Sequence, residues 1–337
     1  MRQPFETMPT VLTSEEIIGK AYRENAKSEL EMSDRVPAIV KAKRREAARI
    51  KIIEETTAGY IEGLVKSVPT IEKLHPFYSD LLEILVGTEK TKAALGRLSR
   101  TARIIREAGK SANGRLRSVR GSAAAGLIRR SYFGRVASLV RAADADLRLV
   151  AELREKMKDL PTADPSMPTV VLAGYPGVGK STIVRALSSA KPETRTYPFT
   201  TKEIIIGHVR RGYMTFQIVD TPGILDKPLS KRSKVELLSI SAFGRLSNVI
   251  AFIVDVSEGN EFSLESQRGL YDDVAGALKD TPMKVFFNKV DLATKEQLAK
   301  AESIFGQCDR LSALKGDGLN ALAWKLESAL KEAFSAS

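Results

Sequence analysis

The stretch TVVLAGYPGVGKST, Thr169 to Thr182, constrains the chain more than any other part of it. A β-branched, apolar run enters a glycine-rich turn and a helix-forming stretch leaves it, which is the context that a phosphate-binding loop needs. In that reading Gly174, Tyr175, Pro176, Gly177, Val178 and Gly179 form the loop. Lys180, Ser181 and Thr182 open the helix whose positive end faces the phosphates. Lys180 would neutralise β- and γ-phosphate oxygens, and the Ser181 hydroxyl would take one Mg²⁺ position. A strand feeding such a loop belongs to an open sheet. The rest of this half agrees, because EIIIGHV, YMTFQIVD, VIAFIVDV and MKVFFN alternate with helical stretches. That is the pattern of a mostly parallel sheet with helices on both faces.

The base is read from FNKVD, Phe287 to Asp291, at the end of another expected strand. The Asp291 carboxylate can accept guanine's N1–H and exocyclic amine, whereas adenine would leave that acceptor unpaired. Lys289 would lie along the base plane, and Asn288 would tie this loop to the phosphate loop. In Ser312, Ala313 and Leu314 a backbone N–H, that of Ala313, could meet guanine O6. Asp220 and Gly223 of DTPG are placed to touch Mg²⁺ through water and the γ-phosphate, respectively. In YPFTT, Tyr197 to Thr201, the hydroxyl completing the Mg²⁺ shell is assigned to Thr201, with Thr200 as the alternative. The nucleotide expected is therefore GTP or GDP with Mg²⁺. In self-sufficient GTPases a glutamine follows the DxxG turn and orients the attacking water. Here the next residue is Ile224, which cannot polarise water. Hydrolysis should be slow until a partner, or a switch residue such as Lys227 or Arg195, supplies what is missing.

Before about residue 158 the chain reads as helices alone. Thr13 with Glu16 forms a capping box for a first helix to about Ala26. A second helix, about Asp34 to Val68, places Ile50, Ile53, Thr57, Ile61, Leu64 and Val68 on one face. Leu74 to Gly87 holds a short helix opened by Pro76. A further helix runs from about Thr88 to Lys110, with a break at Asn113-Gly114 and a long run to about Lys158. DLPTADPSMP, with three prolines, is the linker region. The expected organisation is a basic helical bundle over 1–160, a linker over 161–167, and a Ras-like α/β P-loop GTPase domain over 168–337. The last helix should bury Leu322, Leu326, Leu330 and Phe334.

The formal charge of +12 favours a polyanionic partner, and its placement says which. Between Leu95 and Arg135 stand eleven basic residues against the single acid Glu107. They are Arg97, Arg100, Arg103, Arg106, Lys110, Arg115, Arg117, Arg120, Arg129, Arg130 and Arg135. Arg97 to Arg106 step by three, so at about 3.6 residues per turn they form a slowly winding stripe. Such a stripe suits RNA phosphates and the stacking of arginine on unpaired bases. No run of about eighteen apolar residues and no signal-peptide core are present, so a soluble, intracellular, membrane-free monomer is expected. The lone Cys308 fits a reducing compartment and is expected to be a buried strand residue.

Gly174 to Ser181, YPFTTKEIIIGH and the run VDTPGILDKPLSKRSKVELLSISAF together resemble the nucleolar GTP-binding protein family (Nog type) of the Obg-like GTPases. MRQPFETMPTVLTSEEII, IEKLHPFYSDLLEIL and KAALGRLSRTARII are similar to that family's helical domain. The resemblance implies an assembly factor of the large ribosomal subunit whose helical domain binds precursor rRNA, with ribosomal proteins as further contacts. An RNA-binding placeholder, or a translation factor on mature ribosomes, is the alternative. The chain's end after its last helix suggests an archaeal, cytoplasmic form, nucleolar in a eukaryote. Gly177 stands where relatives carry an asparagine that helps to hold potassium, which argues against K⁺ stimulation.

Overall fold

The computed structural model describes residues 3–27, 36–158, 163–196, 203–228 and 232–335. Thr200 and Thr201 lie outside the described residues, as does the segment 159–162 of the linker region. The chain divides into two compact units, one of Pro4–Lys73 with Val86–Lys158, the other of Met1–Gln3, Leu74–Leu85 and Asp159–Ser337.

Among its described residues the first unit has helices and no strand: α1 (Ser14–Lys27), α2 (Ala38–Glu54), α3 (Tyr60–Ser67), α5 (Thr88–Ser118), α6 (Ser122–Ala142) and α7 (Asp144–Lys158). Thr13 caps α1 as its sequence requires, since its N–H reaches Glu16 Oε2 at 2.7 Å and the Glu16 N–H returns to Thr13 Oγ1 at 3.3 Å. Between α2 and α3 the expected single helix carries a π turn, Glu55–Gly59, which keeps Ile50, Ile53, Ile61 and Leu64 buried on one side. Arg106 on α5 clamps this turn from outside. It meets Glu54 just before the turn, Glu55 at its first residue and Glu62 after it, at 3.0, 2.9 and 2.6 Å. These carboxylates, Glu62 first, raise the pKa of the guanidinium above its ordinary value.

Two boundaries differ from the sequence reading. α5 passes straight through Asn113-Gly114, because Ala112 and Leu116 on its inner face are buried and continuing the helix keeps them so. The interruption falls instead at Gly121, which is extended (φ −133°) ahead of α6. A second break at Ala143 then separates α6 from α7.

The second unit has α4 (Pro76–Leu85) and a seven-stranded sheet in the order β2-β3-β4-β1-β5-β6-β7. The strands are β1 (Thr169–Ala173), β2 (Glu193–Thr196), β3 (Glu203–Arg211), β4 (Met214–Asp220), β5 (Val249–Asp255), β6 (Met283–Asn288) and β7 (Asp309–Arg310). β1 runs parallel to both neighbours, with Val170 opposite Ile218 on β4 and Val249 on β5. All its residues are buried, as a strand covered on both faces must be. Only β2–β3 and β3–β4 are antiparallel. From β1 the chain runs through β2, β3 and β4 on one side and then crosses to β5 on the other. This reversal opens a crevice at the carboxyl ends of the strands, where open α/β sheets bind ligands. The helices are α8 (Lys180–Leu187), α9 (Lys234–Leu246), α10 (Leu264–Ala277), α11 (Lys295–Phe305) and α12 (Leu319–Ser335). Leu322, Leu326 and Leu330 of α12 are buried, but Phe334, expected beside them, is half exposed in the last turn. Cys308 is half-buried just before β7.

α4 precedes α5 in the sequence yet packs with the sheet unit. The Phe77 ring meets Phe243 of α9 edge-on at 5.6 Å between centroids, a contact worth about 0.5–1.5 kcal/mol beyond the area it buries. The Tyr78 hydroxyl donates to the Ala163 carbonyl at 2.7 Å, and Asp80 pairs with Arg245 at 2.8 Å. His75 caps the helix by accepting the Phe77 N–H at Nδ1, 3.3 Å away. Among the described residues no helix is long and apolar enough to cross a membrane.

Candidate functional site

The phosphate loop follows β1 and is built on backbone that a side chain would disrupt. Gly174 has φ +132°, and a Cβ there would stand 2.5 Å from the Ile253 carbonyl oxygen. Gly179 has φ +99°, and its Cβ would lie 2.2 Å from Asn288 Nδ2. Lys180 begins α8 and curls back over the loop, donating from Nζ to the carbonyls of Gly174 at 2.6 Å and Tyr175 at 2.9 Å. Its ammonium is thus fixed over the loop. The Tyr175 ring stacks on Phe262 at 4.0 Å.

Ser181 lies across from the end of β4, where its hydroxyl donates to Asp220 Oδ2. Asp220 is fully buried, and its Oδ1 has no hydrogen-bond partner among the described residues. Burial raises its pKa, against the opposing charge of Lys180. A cavity of about 240 Å³ is lined by Pro176, Gly177, Gly179, Lys180, Ser181, Thr182, Asp220, Pro222 and Asp226. Gly223 turns at φ +85°, and its N–H donates to Asp226 Oδ2 at 2.6 Å. Ile224 is only 2% exposed, so the position after the DxxG turn presents no polar group. Lys227 is paired with Glu236 at 2.8 Å.

The base-reading end is assembled from β5, β6 and the loop after β7. Asn288 is buried, donating from Nδ2 to the Val178 carbonyl at 2.7 Å and accepting the Ala313 N–H at Oδ1, 2.9 Å away. This places Asn288 between the phosphate loop and the SAL segment. It also changes the role expected of Ala313, whose N–H is directed at Asn288 and not outward at a base. The reason is that the buried amide oxygen needs a donor of its own. Lys289 adopts the left-handed conformation (φ +62°) and pairs with Asp255 at 2.6 Å. The Ser312 hydroxyl, and after it Lys315 at 3.4 Å, hold the Asp291 carboxyl below its ordinary range. Ser312 is buried and Leu314 is exposed.

Four supporting residues escaped the sequence reading: Asp226, Asp255, Gln267 and Arg232. Gln267 of α10 bonds to both the N–H and the carbonyl of Asp255, fixing the end of β5. Its signal is weak in sequence, since a buried glutamine on a helix has no characteristic spacing.

The arginines of α5 and α6 fall into two groups. Arg97 is bidentate on Asp146, Arg106 holds its three glutamates, and Arg129 pairs at 2.7 Å with the buried Glu46. These three serve the bundle, because a carboxylate buried at Glu46 or Asp146 needs a cation. Arg103 is exposed, with Glu107 at 3.9 Å. Arg100, Arg115, Arg117, Arg120 and Arg130 are exposed and meet no carboxylate among the described residues.

Comparison with known proteins matches residues 5–164 to the NOG1 N-terminal helical domain and residues 169–289 to the 50S ribosome-binding GTPase family. An uncharacterized protein of Methanocaldococcus jannaschii is 37% identical over 296 residues, covering 88% of this chain and 83% of its own. Nucleolar GTP-binding protein 1 of Caenorhabditis elegans is 30% identical over 252 residues, covering 75% of this chain but 37% of its own length. A crystal structure of nucleolar GTP-binding protein 1 from Plasmodium falciparum aligns with 52% of this chain and 93% of that one, at 27% identity and a TM-score of 0.45.

Proposed function

The chain belongs to the nucleolar GTP-binding protein family, and on that footing we propose that it is a GTP-dependent assembly factor of the large ribosomal subunit. It is a GTP-binding protein with a GTPase domain; its substrate particle, its rate and its RNA contacts are the proposal. One observation carries the reading. Lys180, Ser181, Asp220 and Asn288 converge at the carboxyl ends of one sheet, while a separate helical unit carries exposed arginines that meet no carboxylate among the described residues.

In this mechanism the loop N–H groups and Lys180 hold the β- and γ-phosphates. Asp291 accepts the guanine edge, and Asn288 keeps the base loop and the phosphate loop in register. The orphaned Asp220 Oδ1 beside Ser181 Oγ is a pair of hard oxygen donors of the kind Mg²⁺ takes together with substrate phosphates. Ser181 and Asp220 would hold that ion, with Thr201 as the third protein ligand expected from the sequence, and it would supply positive charge to neutralise the phosphates.

The buried Ile224 supports slow intrinsic turnover, because nothing at that position can align water. Activation is then assigned to the precursor particle, with the arginine face of α5 and α6 as the rRNA contact. Single-turnover hydrolysis with and without large-subunit precursor particles tests this. An acceleration of about 10³ to 10⁵ is expected, the range that a supplied transition-state group delivers; equal rates end the proposal.

A further inference from the structure

The turn from Asp220 to Lys227 is closed on itself by two side chains that the phosphate loop does not require. Asp226 Oδ2 accepts the Gly223 N–H at 2.6 Å, and this carboxylate is 6% exposed. The Arg232 side chain, 1% exposed, donates from Nη1 to the Gly223 carbonyl at 2.9 Å. Its Nε and Nη2 donate to the Lys227 carbonyl at 3.1 and 2.9 Å, and Nη2 lies 3.8 Å from Asp226. The N–H and the carbonyl of Gly223 are therefore both engaged, the first by Asp226 within the turn and the second by Arg232 beyond it. Asp226 at the same time lines the 240 Å³ cavity shared with Lys180, Ser181 and Asp220.

A carboxylate in that place offers the Gly223 N–H what a γ-phosphate oxygen would offer it, an anionic acceptor. One N–H cannot bond fully to both, and two anions side by side in a buried site repel. GDP has no γ-phosphate and leaves the pair undisturbed. The geometry points to Asp226 as a surrogate that competes with the γ-phosphate for the Gly223 N–H and so sets the preference between GTP and GDP. Arg232 holds the turn in the form in which Asp226 has the donor. GTP binding must move Asp226 away, which loosens the grip of Arg232 on Gly223 and Lys227 and carries the change toward α9. This inference rests on the reading of the cleft as a guanine-nucleotide site.

The test measures Kd for fluorescent GDP and for a non-hydrolysable, imido-bridged GTP analogue with the full chain, Asp226→Ala and Asp226→Asn. In Asp226→Ala the ratio of Kd for GDP to Kd for the analogue should rise about tenfold, the scale of one bond to a charged acceptor. Asp226→Asn keeps a neutral acceptor and should give an intermediate rise. If the alanine variant does not fold, the asparagine variant decides on the same ratio. An unchanged ratio overturns the inference. So does a falling ratio, since Asp226 would then support the γ-phosphate and not oppose it. A folded wild-type chain that binds neither guanine nucleotide overturns the function proposed above, and this inference with it.

Discussion

Asn288 Nδ2 stands 2.7 Å from the Val178 carbonyl oxygen, so the loop that reads the base and the loop that cradles the phosphates are joined by one buried side chain. Its Oδ1 accepts from Ala313 in turn, and three segments far apart in sequence share one amide. Asn288→Ala would leave the Val178 carbonyl and the Ala313 N–H unsatisfied. It should lower unfolding stability by about 2 kcal/mol and weaken GDP binding at the same time. Denaturant unfolding and nucleotide titration on one preparation check both; loss of affinity with unchanged stability would mean that the amide is not structural.

Asp291 should behave differently, because its carboxyl is held by Ser312 and Lys315 at the surface of the cleft. Asp291→Ala is expected to weaken GDP binding by roughly 10- to 100-fold, the cost of losing bonds to a charged acceptor, while stability changes little. ADP binding should not weaken with it. Parallel titrations with both nucleotides read the discrimination directly.

The two groups of arginines should separate in experiment. Arg100, Arg115 and Arg117, exposed and without carboxylate partners among the described residues, are assigned to phosphate. Each alanine substitution there should reduce the slope of log K against log salt for rRNA binding by roughly 0.7 to 0.9 while the melting temperature holds. Arg106→Ala should do the reverse. It leaves Glu54, Glu55 and Glu62 facing one another across the π turn and should cost about 1–2 kcal/mol of stability.

Glu236 predicts an acid response. Lys227, and then the Ser233 N–H in the capping box of α9, hold its carboxyl down from 4.5 to about 2. A carboxylate with a depressed folded-state pKa contributes stability above its unfolded value and loses it as pH falls toward the folded one. The stability gap between wild type and Glu236→Gln should therefore be full near neutrality, narrow below pH 4.5 and close toward pH 2. Urea midpoints of the two proteins across that range check it; a gap that is constant with pH would show that the ion pair is not the source.

The sheet and the phosphate loop were legible because each is written locally. A buried strand, glycines at forced conformations and a lysine at a fixed offset leave little choice. Asn288 could be placed for the same reason. What remained hidden depends on which surfaces meet. The Asn113-Gly114 pair looks like a break, but burial of Ala112 and Leu116 outweighs the weak local preference for a turn, at roughly 1 kcal/mol per glycine. Arginines three apart look like one functional stripe, and only the fold reveals that Arg97, Arg106 and Arg129 face carboxylates from other helices. Asp226 lies in a turn with no periodicity and Arg232 beyond it, so nothing in the string links them to Gly223.

The packing of Phe77 and Tyr78 on Phe243 and Ala163 bears on how the polypeptide is made. The aromatic face of α4 leaves the ribosome well before its partner on α9, since Phe77 and Phe243 are 166 residues apart in the sequence. During synthesis its aromatic face must wait without its permanent partner while helices on either side of it in the chain can already fold. Excision at the interdomain segment would discard this helix from the catalytic half. Truncated forms intended for biochemistry should therefore carry Leu74–Leu85 in trans or as a fused segment.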